Sequence, residues 1–154
     1  MQQDGYAWHQ QPKKGPSAKL RSAAFKRVRA DHSAELAEDY VEMIADLIDE
    51  RGEARCTDIA MRLGVANATV VKTLKRLQVM GLVTQEPYRA IFLTPDGWKM
   101  AEDGKRKHAL VEKFLLALGV SQETARIDSE GIEHHVSVET LRAMGKFLVR
   151  NGDR

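Results

Sequence analysis

Residues 57–94 read TDIAMRLGVANATVVKTLKRLQVMGLVTQEPYRAIFLT, and this stretch decides the fold class. Thr57 stands where an N-cap belongs, before a short helix DIAMRLG with Ile59, Ala60 and Leu63 inward and Gly64 as its stop. A second helix is expected over about Asn67–Met80, with Val70, Val71, Leu74 and Leu77 as its inward stripe and Gly81 at its end. The segment LVTQEPYRAIFLT then places two β-prone runs around Pro87-Tyr88-Arg89-Ala90, a hairpin pattern. Short helix, glycine turn, second helix and hairpin, in that order, make a winged helix-turn-helix.

The second helix has the chemistry of a groove reader. No acidic residue occurs between Asp58 and Glu86. The outward positions Asn67, Ala68, Thr69, Lys72, Thr73 and Arg76 are small, polar or basic, so the face can approach phosphates and base edges of double-stranded DNA. Arg89, at the hairpin tip beside Tyr88, suits a phosphate or minor-groove contact. The plainer reading of the same face is an exposed basic helix that binds protein.

Outward from this core the chain is mostly helical. A helix over about Ser33–Arg51 carries the stripe Leu36, Tyr40, Met43, Ile44, Leu47 and Ile48, and Gly52 follows it. Thr94-Pro95 opens a long helix to about Leu118, with Gly104 tolerated inside it. Ser121 and Ser137 cap two more, ending near His135 and Arg150. The expected organisation is a basic, largely unstructured arm over 1–32, with a basic helical stretch starting near Leu20. A winged-helix domain over 33–98 and an all-α dimerisation domain over 99–154 complete it.

The 154 residues are 43% apolar and 30% charged, with one cysteine and no apolar run of the ~18 residues that a membrane span needs. That excludes a disulfide scaffold and a cysteine-rich zinc finger. The N-terminal MQQDGYAWHQQPKKGPSAK has no signal-peptide core, so a cytoplasmic protein without a membrane partner is expected. The net charge of +2 is uneven: residues 1–32 hold seven Lys/Arg and two Asp, and residues 33–154 hold 17 Lys/Arg and 20 Asp/Glu. A basic arm on a mildly acidic body fits a polyanion partner or a solubilising tail.

Carboxylates and histidines recur at helical spacing. Asp39 and Glu42 are three apart; Glu130, Glu133 and His134 fall at i, i+3 and i+4; His108 lies alone on the long helix. Were these groups to converge, oxygen ligands with two imidazoles and no thiolate would suit Mn(II) or Fe(II), and Zn(II) or Co(II) could bind in vitro. Spacing does not show that they meet. Each alone also reads as a solvated helix face, a helix end or a surface histidine.

The segments EDYVE (38–42), GEARCTDIAMRLGV (52–65), VVKTLKRL (70–77), LT-x-x-G (93–97), RKHALVEKFL (106–115) and EGIEHHVS (130–137) together resemble the manganese transport regulator (MntR) branch of the diphtheria-toxin-repressor family. The resemblance covers about residues 34–152. It implies a homodimer that binds a palindromic operator, with a binuclear Mn(II) site in each subunit and no small organic ligand. The implied ligands are Asp39, Glu42, His108, Glu130, Glu133 and His134. Asp39 and Glu130 stand where iron-responsive relatives have methionine and cysteine, an exchange of sulfur for oxygen that favours a harder ion. Cys56 reads as a small buried filler, and His135 as structural or outer-sphere. The implied function is repression of manganese uptake, with metal promoting operator binding. An Fe(II)-responsive regulator of the same family, and a winged-helix regulator with a non-metal ligand, remain alternatives. No nucleophile triad, and no general acid or base beyond the candidate ligands, supports an enzyme.

Overall fold

The structure, a computed structural model, describes residues 17–85 and 89–152. The elements in order are α1 (Ala18–Arg51), α2 (Cys56–Leu63), α3 (Asn67–Val79), β1 (Val83–Gln85), β2 (Ile91–Leu93), α4 (Pro95–Ala117), α5 (Gln122–His135) and α6 (Val138–Asn151). The mainly helical chain with one two-stranded hairpin has the expected winged-helix order.

The first core is built around the C-terminal half of α1. Tyr40, Val41, Ile44 and Leu47 pack with Ile59 of α2, Val70, Leu74 and Leu77 of α3, and Val83, Ile91 and Leu93 of the hairpin. Burying each large aliphatic side chain contributes about 1.5–3 kcal/mol. The hairpin is antiparallel in the register Val83↔Leu93, Thr84↔Phe92 and Gln85↔Ile91. The Ile91 amide also donates to the Ala54 carbonyl at 2.8 Å, which ties the wing to the start of the helix-turn-helix.

The second half is thinner. α4 packs on α5 and α6, with Val111 and Ala125 buried and Phe114 meeting Phe147 edge to face at 5.3 Å. α6 has no buried residue, and Ile127, Val138 and Val149 are exposed. α4 belongs to both halves, since Ala101 joins the first core and Val111 lies in the second.

Several expectations need correction. α1 does not start near Ser33: it is one helix from Ala18, so residues 18–32 are helical and continuous with the first core element. The unstructured reading of residues 1–16 lies outside the described residues, as do the hairpin-tip residues Pro87 and Tyr88. Arg55, not Thr57, is the N-cap of α2, and it makes no side-chain capping bond. On α3 two neighbouring positions exchange roles. Val71 is exposed, whereas Thr73 is buried and donates its hydroxyl to the Thr69 carbonyl at 3.1 Å. Thr73 therefore leaves the DNA-facing set. Leu36 sits at the rim of the α1 stripe, and Cys56 is half-buried, packed against the core from its edge. The other starts agree with the sequence: Thr94, Ser121 and Ser137 each accept a backbone amide three residues on.

Gly97 marks where α4 meets the wing. A Cβ there would overlap the Leu82 carbonyl oxygen, a backbone atom with nowhere to go. Thr94 holds the same corner, donating to the Gly81 carbonyl at 2.6 Å and accepting from the Gly97 amide at 3.1 Å. Gly97→Ala is expected to destabilise the protein by about 1–3 kcal/mol. The check is a lower urea midpoint with an unchanged slope; an unmoved midpoint would show that the corner can relax.

Candidate metal centre and nucleic-acid interface

Three helices deliver the candidate ligands to one place between the halves. α1 carries Asp39 and Glu42, α4 carries His108, and α5 carries Glu130, Glu133 and His134. Glu133 is the hub, with its side chain 3% exposed. One of its oxygens lies 2.8 Å from His108 Nδ1 and the other 3.5 Å from His134 Nε2, so each oxygen faces a different imidazole. Glu130 approaches His108 Nδ1 at 3.7 Å, and Asp39 approaches His134 Nε2 at 3.4 Å. Among the described residues, ligand atoms of His108, Glu130 and Glu133 all lie within 4.8 Å of one another.

Glu42 enters from α1 over Gly104. A Cβ at residue 104 would overlap Glu42 Oε1, so the glycine makes room for the carboxylate. Glu42 Oε1 is buried without a hydrogen-bond partner, and the equally buried Glu133 Oε2 has only the His108 imidazole, 2.8 Å away, to face it. Leaving buried carboxylate oxygens unpartnered is costly, and a cation is the partner that removes the cost. The residues thus fit a divalent ion by burial and by donor type: carboxylate oxygens with two imidazole nitrogens.

The electrostatics agree. Burial first, and then the neighbouring Glu133, push the Glu42 carboxyl up to about 7. Burial also raises Glu133. Hydrogen bonds to Asp39 and Glu38 push His134 up to about 10. At neutral pH His134 therefore carries a proton that must leave before Nε2 can bind a metal, and Glu42 carries part of one.

Two residues of this centre escaped the sequence reading. Glu38 accepts from His134 Nδ1 at 3.0 Å and is held by Lys107 Nζ at 2.9 Å. The hydrogen bond to His134, followed by Lys107, holds its carboxyl below the usual range. Glu38 fixes the imidazole so that Nε2, not Nδ1, faces Asp39 and Glu133, the usual service of an outer carboxylate to a ligating histidine. The available signal was the i, i+4 relation of Glu38 to Glu42. Gly104 is the other, and its role depends on a tertiary contact that no local pattern encodes. His108 is also braced from behind, with Ser129 Oγ 3.4 Å from Nε2.

The reading face of α3 is exposed at Asn67, Ala68, Thr69, Lys72 and Arg76. Arg76 also donates to Ser33 Oγ of α1 at 2.7 Å. A groove of about 1150 Å³ separates α3 from the wing, lined by Asn67, Val71, Lys75, Gln85, Arg89 and Phe92. Lys75, outside the initial set, thus joins Arg89 on its walls.

Fold and site define a winged-helix regulator with a metal-binding half. Residues 33–91 match the iron dependent repressor N-terminal DNA binding domain, and residues 94–151 match the iron dependent repressor metal binding and dimerisation domain. The chain is 55% identical over 128 residues to transcriptional regulator MntR of Escherichia coli O6:H1, covering 83% of each protein. It is 42% identical over 111 residues to HTH-type transcriptional regulator MntR of Geobacillus kaustophilus, covering 72% of this chain and 79% of that one. The manganese regulator SloR superposes with a TM-score of 0.63 at 29% identity, over 73% of this chain and 53% of the SloR chain. ScaR with bound Zn2+ gives 0.64 at 29% identity, with the same coverage. The chain thus spans about half the length of these solved chains. It belongs to the diphtheria-toxin-repressor family, in the MntR branch: a transcriptional regulator, not an enzyme.

Two outcomes follow from the centre's geometry. Metal competes with the protons on His134 and Glu42, so affinity rises with pH through about 7 and onward toward 10. At pH 7.5, calorimetry in buffers of different ionisation enthalpy should show release of roughly one to two protons per subunit; no release would contradict the assignment. Gly104→Ala displaces the Glu42 carboxylate and should weaken metal binding by about tenfold or more. Equilibrium dialysis beside a thermal melt separates this from simple unfolding.

Proposed function

We propose that the protein is a Mn(II)-responsive repressor of manganese uptake. It acts as a homodimer on a palindromic operator and holds two Mn(II) per subunit in the centre between its halves. The observation that carries this is the buried, unpartnered Glu42 Oε1 beside the buried Glu133 carboxylate, whose two oxygens face the imidazoles of His108 on α4 and His134 on α5. Asp39, Glu42, His108, Glu130, Glu133 and His134 are the ligands, and the two-sided approach of Glu133 supports two adjacent ions. Bound Mn(II) supplies positive charge that offsets the mutual repulsion of the carboxylates.

The chain's own part is mechanical. Asp39 and Glu42 sit on the same helix as Val41, Ile44 and Leu47, which hold α2, α3 and the wing. Glu130, Glu133 and His134 sit on α5, in the half matched as the dimerisation domain. Drawing these carboxylates together fixes α1 against α4 and α5, and so fixes the two reading helices of a dimer at one spacing. Successive major grooves on one face of DNA lie about 34–36 Å apart. Coupling of this kind is typically about 1–3 kcal/mol, or roughly 5–150-fold, and it is reciprocal: DNA raises metal affinity by the same factor. On α3, Lys72 and Arg76 reach phosphates or base edges, Asn67, Ala68 and Thr69 approach the groove floor, and Arg89 contacts the backbone from the wing.

The test is fluorescence anisotropy on a promoter fragment containing a palindrome, with Mn(II), Fe(II) and Zn(II) arms against a chelated control. Mn(II) should tighten binding by roughly 5–150-fold. Equal affinity with chelator would remove the metal reading, and a response confined to Fe(II) would make the protein an iron sensor. Lys72→Ala should cost about 1–3 kcal/mol of operator binding while metal uptake in the absence of DNA stays unchanged.

A further inference from the structure

A second cluster lies outside the buried centre, where the middle of α1 passes the end of α5. His32 and Glu35 are three apart on α1, and His135 is the last residue of α5. His32 Nδ1 lies 3.1 Å from Glu35 Oε2, and His135 Nε2 lies 3.9 Å from that same oxygen. The two rings stand edge to face with centroids 6.1 Å apart. One carboxylate oxygen therefore has two imidazole nitrogens from different helices turned toward it. Glu35 is held by its surroundings, with its side chain 26% exposed, while the His32 and His135 side chains are 65% and 47% exposed and free to adjust.

This set differs from the first in chemistry. The buried centre offers four carboxylates to two imidazoles; the cluster offers one carboxylate to two imidazoles. Nitrogen-rich sets of three protein ligands suit borderline ions, and in zinc sites of this kind water takes the fourth position. Glu35 is one helical turn before Asp39 on the same face of α1, and His135 follows His134 on the next face of α5, so the cluster lies beside the buried centre, toward solvent.

We propose that His32, Glu35 and His135 form a peripheral site for a borderline divalent transition metal, with Zn(II) as its natural occupant. The ion replaces the His32–Glu35 hydrogen bond and clips the middle of α1 to the end of α5. This extends the metal chemistry of the protein beyond the oxygen-rich centre, and it does not depend on which ion fills that centre.

The test uses the full chain. Equilibrium dialysis against Zn(II) should load one equivalent per subunit fewer in His32→Ala than in the unaltered protein, with Mn(II) uptake the same in both. His32 is exposed, so its truncation leaves the cores intact, and a thermal melt checks this. Co(II) supplies a second readout, because a four-coordinate site with two imidazoles gives a visible absorption band that should vanish in His32→Ala and in Glu35→Gln. Equal Zn(II) loading of the altered and unaltered proteins would overturn the proposal, as would a Co(II) spectrum indifferent to both substitutions. Failure of Mn(II)-dependent operator binding would appear in the unaltered protein, so the two readings fall separately.

Discussion

Glu42 Oε1 is shut away from water without a hydrogen-bond donor, next to a Glu133 carboxylate that only the imidazoles of His108 and His134 face, and the arrangement of the helices follows from that constraint. Neither group could be tolerated there at full charge without help. The protein supplies part of it through His108 and His134, and burial forces Glu42 to keep its proton to about 7. The remaining deficit is what a cation fills. Since α1, α4 and α5 each contribute side chains, none of the three can shift without disturbing the charge balance of the others.

The surroundings make that balance consequential for the rest of the molecule. α1 is a single helix of 34 residues that serves as the central pillar of the winged-helix core. Its polar face meets α4 through Glu38–Lys107 and Asp46–Lys105, the second at 2.6 Å. Exposed pairs such as Asp46–Lys105 contribute little each, about 0–1 kcal/mol. The buried apolar contacts hold the element together, and the ion pairs orient it. Lys107 is the more interesting of the two lysines because its carboxylate partner also holds a ligand imidazole.

Much of this was legible in the residue pattern, and the misses have a common cause. Apart from α1, which runs back to Ala18, helix extents followed from apolar periodicity, and the starts at Thr94, Ser121 and Ser137 followed from capping, because both are local. The Thr57 cap failed because backbone pairing at Ala54 and the extended conformation of Arg55 start α2 two residues earlier. On α3, Val71 and Thr73 exchanged roles because a helical stripe is wide enough to admit either residue at its edge, and the hydroxyl of Thr73 finds the Thr69 carbonyl when buried. The six ligand positions implied by the resemblance are brought together by the fold, though periodicity alone never required it. Glu38 and Gly104 were missed because each acts on a residue of another helix: one orients His134, the other leaves space for Glu42.

α6 contributes no buried residue, yet it closes a region matched as a dimerisation domain. Its exposed Val138 and Val149, with Ile127 of α5, are apolar surface that an isolated subunit leaves wet and that association with a second copy would cover. The hydrophobic core of this half is then completed by association, and its stability obeys mass action rather than a fixed free energy. Dilution loosens α5 and α6 together, and α5 carries half of the ligands. Protein concentration in the cell therefore becomes a hidden variable of metal sensing: a scarce repressor is also a poorer chelator.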